Sequence, residues 1–114
     1  MIPTEFTLVN RRWQVKQLNS EDMQIDVDEH DVSRKRTKVK DVKGLTSMDA
    51  AIIWINTDRH RHPADFAHTY YHELVHAILF STGDMDHDEV KVDLMGGLLQ
   101  QYMQTSKYET PTTS

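Results

Sequence analysis

Residues Tyr70 to Gly97 read YYHELVHAILFSTGDMDHDEVKVDLMGG. Two histidines flank a glutamate, and a run of acids follows a glycine break. On an α-helix, positions i and i+4 lie one above the other on the same face. His72 and His76 can then offer two imidazole nitrogens to one ion. Glu73 lies beside that ion and not on it, where a general base takes a proton from a metal-activated water. A catalytic zinc keeps three protein ligands and one open position, so the pair needs a third. The downstream candidates are Asp84, Asp86, His87, Asp88, Glu89 and Asp93. Glu89 is chosen because it opens a second helix after a loop long enough to turn the chain back. Asp93, one turn later, is placed to accept the other N–H of a ligating histidine, His72, and so fix its tautomer. Gly96 and Gly97 let the second helix approach the first.

The helices around this stretch follow from its punctuation. His62-Pro63 suits a helix start, with Asp65 near the positive end of the dipole. Phe66, Tyr70, Leu74, Ala77 and Ile78 form an apolar stripe as far as about Ser81, and Gly83 stops it. A second helix is expected from about His87 to Thr105, with Val90, Leu94 and Leu98, and Met95, Leu99 and Tyr102, at helical spacing.

Working back toward the N-terminus, the chain reads as strands. EFTLV and RWQVKQL carry β-formers with a tight turn at Asn10 and Arg11. MQIDVDEHDV and RTKVKDVKG alternate, and Gly44 breaks the second of these runs. AAIIWIN, Ala50 to Asn56, is a short β-branched stretch of a more buried strand. The expected fold is α+β: a small, mostly antiparallel sheet and two C-terminal helices carrying a metal site. Residues 1–105 form one domain in this reading, and 106–114 a flexible polar tail.

Composition bounds the rest. The chain has 114 residues and no cysteine, so it has no disulfide framework, and a metal must be held by nitrogen and oxygen. There is no apolar run of bilayer length and no signal-peptide layout at the start, which points to a soluble cytoplasmic protein without a membrane partner. A net charge of −5 argues against binding nucleic acid with the whole surface. The basic run at 34–43 (Arg34, Lys35, Arg36, Lys38, Lys40, Lys43) reads as a solvated hairpin face, its acidic counterpart being residues 21–31. The sharper alternative is a patch for an acidic partner or nucleic acid. His68 reads as a partly exposed helix histidine. His87 reads as a residue near a helix start, or else as a ligand in place of Glu89. Trp13, Trp54 and the methionines read as core.

HELVH followed by EVKVD resembles the zincin metallopeptidases, in the gluzincin-like group where a glutamate is the third ligand and an aspartate four residues on supports a histidine. The wording from Ala50 to Met103 is most similar to the small phage and prophage zincins related to ImmA/IrrE-type peptidases. The resemblance implies a minimal zincin fold, one Zn2+ on His72, His76 and Glu89, and Glu73 as base. It implies a phage-encoded peptidase acting on a peptide or protein of the host, in the host cytoplasm. It also implies that IIWIN is the edge strand beside the substrate. Candidates for stabilising the oxyanion are His62, His68, Tyr70, Tyr71 and His87. The alternative function is a catalytically silent zinc-binding module that docks or inhibits a host protein.

Overall fold

A computed structural model describes residues 2–30 and 38–109. Strands β1 (Glu5–Leu8), β2 (Arg11–Leu18), β3 (Gly44–Ser47) and β4 (Ile52–Asn56) form one sheet in the order β1-β2-β4-β3. Helix α1 (Ser20–His30) follows β2; α2 (Pro63–Ser81) and α3 (Glu89–Thr105) end the fold. The architecture is α+β, as expected, but the sheet is mixed. β1 and β2 are antiparallel, as are β3 and β4, while β2 and β4 at the centre run parallel. A parallel pair cannot be joined by a hairpin and needs a crossover. Helix α1 lies on that crossover, and the sequence reading had no helix there.

Helix α1 replaces the strand expected at MQIDVDEHDV as far as His30; Asp31 and Val32 lie outside the described residues. The alternation of Ile25 and Val27 is real but does not decide the conformation. Met23 and Val27, four residues apart, are both buried, and Ile25 is 54% exposed. Asn19 starts the helix by accepting a hydrogen bond from the Asp22 N–H (2.8 Å), with Glu21 and Asp22 in the first turn. Asp26 then pairs with Lys16 of β2 (2.9 Å) and accepts from Trp54 Nε1 of β4 (2.7 Å). The acids of this segment are therefore not the far side of a hairpin. Burial raises the Asp26 carboxyl, but its bonds to Lys16 and Trp54 outweigh that and hold it below the ordinary carboxylate range.

Other boundaries move. The first hairpin turns at Val9 and Asn10, both at positive φ (49° and 62°), one residue earlier than expected. Residues 38–43 are irregular and not a strand, and Arg34, Lys35 and Arg36 of the basic run lie outside the described residues. Gly44 opens β3 where a break was expected. IIWIN is not the edge: β4 sits between β2 and β3 and is buried along its whole length. The edge strand on that side is β3.

The sheet is covered on both faces, which is why β4 reads as a continuous apolar run. Trp13, Val15, Ile53 and Ile55 pack with Tyr70 and Ala77 of α2. Ile52 and Trp54 pack with Met23 and Val27 of α1, joined by Val39. Both tryptophans are core, as expected, whereas Met85, Met95 and Met103 are exposed. His60 ties β4 to α2: its Nδ1 donates to the Asn56 carbonyl and its Nε2 accepts from the Thr69 hydroxyl, both at 2.7 Å. Among the described residues no helix is long and apolar enough to cross a membrane.

Candidate metal centre

Helix α2 brings the first part of the site. Pro63 stands in its first turn. Its end is closed by Gly83 at φ 89°, with Asp84 N–H bonded to the Leu79 carbonyl and Gly83 N–H to that of Phe80, both 3.0 Å. That is a Schellman closure, and it reverses the chain so that α3 returns along α2. Asp88 caps α3 by accepting from the Val90 N–H (2.9 Å), so the helix opens at Glu89, two residues later than expected. Gly96 sets the separation of the helices. A Cβ built there would stand 3.0 Å from both Cα and N of His72. Gly97, expected to share this role, has nearer space: its Cβ would only touch the His68 ring at 3.8 Å.

Glu89 thereby reaches both histidines of α2. Its Oε2 is 3.3 Å from His72 Nε2, and its Oε1 is 3.1 Å from His76 Nε2. His72, His76 and Glu89 form a group that can hold a metal ion. Around a tetrahedral ion with bonds of about 2.0–2.1 Å, neighbouring ligand atoms stand about 3.3 Å apart. The observed spacings fit that figure.

The hydrogen bonds behind the two imidazoles say more than the distances. His72 Nδ1 lies 3.1 Å from Asp93 Oδ1. The bonds to His72 and His68 hold the Asp93 carboxyl below its ordinary range. A carboxylate only accepts, so His72 Nδ1 carries the hydrogen and Nε2 of the neutral ring is a bare lone pair. His87 Nδ1 lies 3.1 Å from the Asp84 carbonyl, which also only accepts. His87 Nε2 is then the acceptor for the 2.6 Å bond from His76 Nδ1. His76 Nε2 is left bare in turn, and burial lowers the pKa of this ring, which favours its neutral form. Two lone pairs and a carboxylate converge with no hydrogen between them. A cation is the partner that satisfies all three.

Glu73 stands beside this group at 7% exposure. Its Oε2 is 3.9 Å from His72 Nε2, and its Oε1 accepts from the Thr46 hydroxyl at 2.9 Å. Burial pushes its pKa up to about 7, against the Thr46 bond and the pull that His72 exerts when protonated, and with the repulsion of Glu89. Strand β3 passes close over it. A Cβ on Gly44 would meet Thr69 Cγ2 at 2.7 Å and Glu73 Cγ at 3.0 Å. The cleft in front of the group, about 320 Å3, lies between Gly44, Leu45 and Thr46 of β3 and His72, Glu73 and His76 of α2. A larger hollow of about 850 Å3 lies against Ile2, Phe66, Tyr71 and Met103. None of the ligand atoms borders it, so size does not identify the site here.

The five oxyanion candidates do not line this cleft. His62 sits at the start of α2, Tyr70 is in the core, and Tyr71 borders the larger hollow. His68 bonds to Asp93 (3.0 Å) and Gln100 (3.3 Å). His87 backs His76 through the Nδ1–Nε2 bond and is not part of the His72, His76 and Glu89 group. Thr46 and the supporting role of His87 were missed. No sequence signal marked Thr46, because β3 itself was not recognised. The His87 ring lies 8% exposed beside Phe80, with centroids 5.0 Å apart, a contact between a helix and a loop that no sequence spacing announces. A second acidic group, Asp26, Glu29 and His30, has ligand-like spacing. Asp26 there is already engaged by the Lys16 ammonium and the Trp54 N–H.

No protein family, curated protein or solved structure matches this chain.

Proposed function

We propose that the protein is a zinc metallopeptidase, with His72, His76 and Glu89 holding one Zn2+ and Glu73 acting as general base. The observation that carries this reading is the convergence of two imidazoles and a carboxylate, with a second, buried carboxylate, Glu73, alongside them. Two imidazoles and one carboxylate are a donor set that suits zinc and leaves a position open. A bound zinc ion supplies a Lewis acid that lowers the pKa of water and polarises a carbonyl.

The remaining steps belong to the chain. Asp93 and His87 hold the two imidazoles in the tautomers that present Nε2. Thr46 fixes Oε1 of Glu73, and Oε2 lies on the side of His72, 3.9 Å from its Nε2. Glu73 takes a proton from water as the new C–O bond forms at the peptide carbonyl, and returns it to the amine nitrogen as the C–N bond breaks. A carboxyl that burial lifts toward neutrality suits both halves of that exchange, and a nearby dication draws it back toward the ionised form. Strand β3, whose outer edge is unpaired among the described residues, runs beside the cleft and offers backbone groups to an extended peptide.

The test is metal analysis of the purified protein, followed by mass-spectrometric readout of a peptide library. The expected result is one zinc per chain, cleavage by the wild type, and no cleavage by Glu73→Gln with zinc retained. Zinc-loaded wild type that leaves the library intact would point to the metal-binding module instead. Equal cleavage by Glu73→Gln would remove Glu73 from the chemistry.

A further inference from the structure

Helix α3 is apolar on two faces and, among the described residues, has a neighbour on one. Val92 and Gly96 are buried, Gly96 against His72 of α2. On the far side, Val90, Leu94, Leu98 and Tyr102 follow at every fourth residue and are 77%, 62%, 57% and 59% exposed, with Met95 beside them at 41%. The sequence places these residues at helical spacing, which is that of a packed face. A helix that is apolar on both sides belongs between two layers.

We propose that this face docks a second copy of the chain, forming a two-fold dimer through antiparallel α3 helices. The size of the patch fits. Five such side chains leave on the order of 500 Å2 of apolar surface in water, at the upper range for a monomer. Adding the polar rim of Lys91, Gln101 and Thr105 brings each copy toward the roughly 800 Å2 that a stable pair buries per partner.

Charge also favours a copy of the same chain. The protein carries −5 overall, so two copies repel over most of their surfaces. The carboxylates of α3, Glu89 and Asp93, turn toward the α2 histidines. The outer face keeps only Lys91, so copies meeting there bring no carboxylates together. The ridge is self-complementary as well. A two-fold axis beside the middle of α3 sets Leu94 against Leu98 of the partner subunit and the small Val90 against the large Tyr102 of the partner subunit. Ridges with i+4 spacing pack into each other's grooves at about 50°.

Sedimentation and light scattering over micromolar to submillimolar concentrations test it. The expected particle has twice the 13.3 kDa chain mass. Leu94→Glu with Leu98→Glu should return it to a monomer with unchanged far-UV circular dichroism. A wild type that stays monomeric throughout overturns the proposal, and so does association that continues past the dimer or survives the two glutamates. Because the chain has no cysteine, Leu98→Cys gives an independent check that leaves the core intact. A short bismaleimide should cross-link it into dimers and should not do so for Asp41→Cys, whose side chain is 83% exposed elsewhere. Equal cross-linking of the two would overturn the assignment of the face.

Discussion

Gly96 of α3 lies so close to His72 of α2 that a Cβ there would stand 3.0 Å from two backbone atoms of that residue. Glu89 is two turns away on the same face of α3, and its carboxylate bridges His72 and His76. The glycine therefore sets how far the third ligand stands from the other two. Backbone atoms cannot rotate away, so Gly96→Ala must push the helices apart. The expected cost is about 1–3 kcal/mol of stability and roughly a tenfold or greater loss of zinc affinity. Gly97→Ala meets only the His68 ring at 3.8 Å. It should keep full affinity and gain up to about 1 kcal/mol from helix propensity. Chelator competition and urea unfolding on the two variants check both halves; equal behaviour would show that Gly96 has no spacing role.

His87 offers a second separation of roles. Its Nε2 receives the His76 Nδ1 hydrogen, and its own Nδ1 is tied to the Asp84 carbonyl. His87→Phe fills the space beside Phe80 but leaves that hydrogen without an acceptor. Zinc affinity should fall by about 10–100-fold. His87→Gln, whose amide oxygen can accept, should recover much of it. Were His87 a direct ligand, Gln would restore little, and cobalt-substituted spectra would change in band position as well as in occupancy.

These residues also mark where the sequence was legible. The pair His72 and His76 follows from helix geometry alone, and Pro63 and Gly83 punctuate α2 plainly. Glu89 and Asp93 follow from the next helix start. Thr46 and His87 act through contacts across the fold, and each depends on an element whose position is tertiary. Strand β3 has four residues, too few for a period to show, and it lies outside β4 only because the chain crosses the sheet first. Helix α1 was hidden by an alternation that fits a strand. What decides it is the cap at Asn19 and the Lys16 and Trp54 partners of Asp26, and only the first of these is local. On α3 the apolar spacing was read correctly, but spacing does not tell a core face from a docking face.

The first hairpin carries a strained residue that can be relieved. Val9 sits at φ 49°, a region that a β-branched side chain enters at a cost of about 1–2 kcal/mol. It is 79% exposed, so little packing holds it there. Val9→Gly should raise stability by about 1 kcal/mol, or several degrees in melting temperature for a domain of this size. A lower melting temperature would mean that the turn is formed differently in solution.

Glu73 makes a prediction whose sign reverses intuition about carboxylates. Its pKa is raised from 4.5 to about 7 in the metal-free fold, chiefly by burial. A carboxyl with a raised folded pKa favours the native state fully below its unfolded value. That contribution is lost as pH rises through the folded value. Metal-free wild type should therefore lose stability between about pH 4.5 and 7 on account of this group. Glu73→Gln cannot ionise and keeps an oxygen for the Thr46 hydroxyl. In chelator the two proteins should unfold alike near pH 4.5, and the variant should be more stable at pH 8, by on the order of 2 kcal/mol. Zinc should shrink the gap, because a dication beside the carboxylate favours its ionised form. Urea unfolding at both pH values, with and without zinc, reads all four cases. A variant that is less stable at pH 8 in chelator would show that Glu73 is held ionised in the empty site, and the case for a base poised near neutrality would fail.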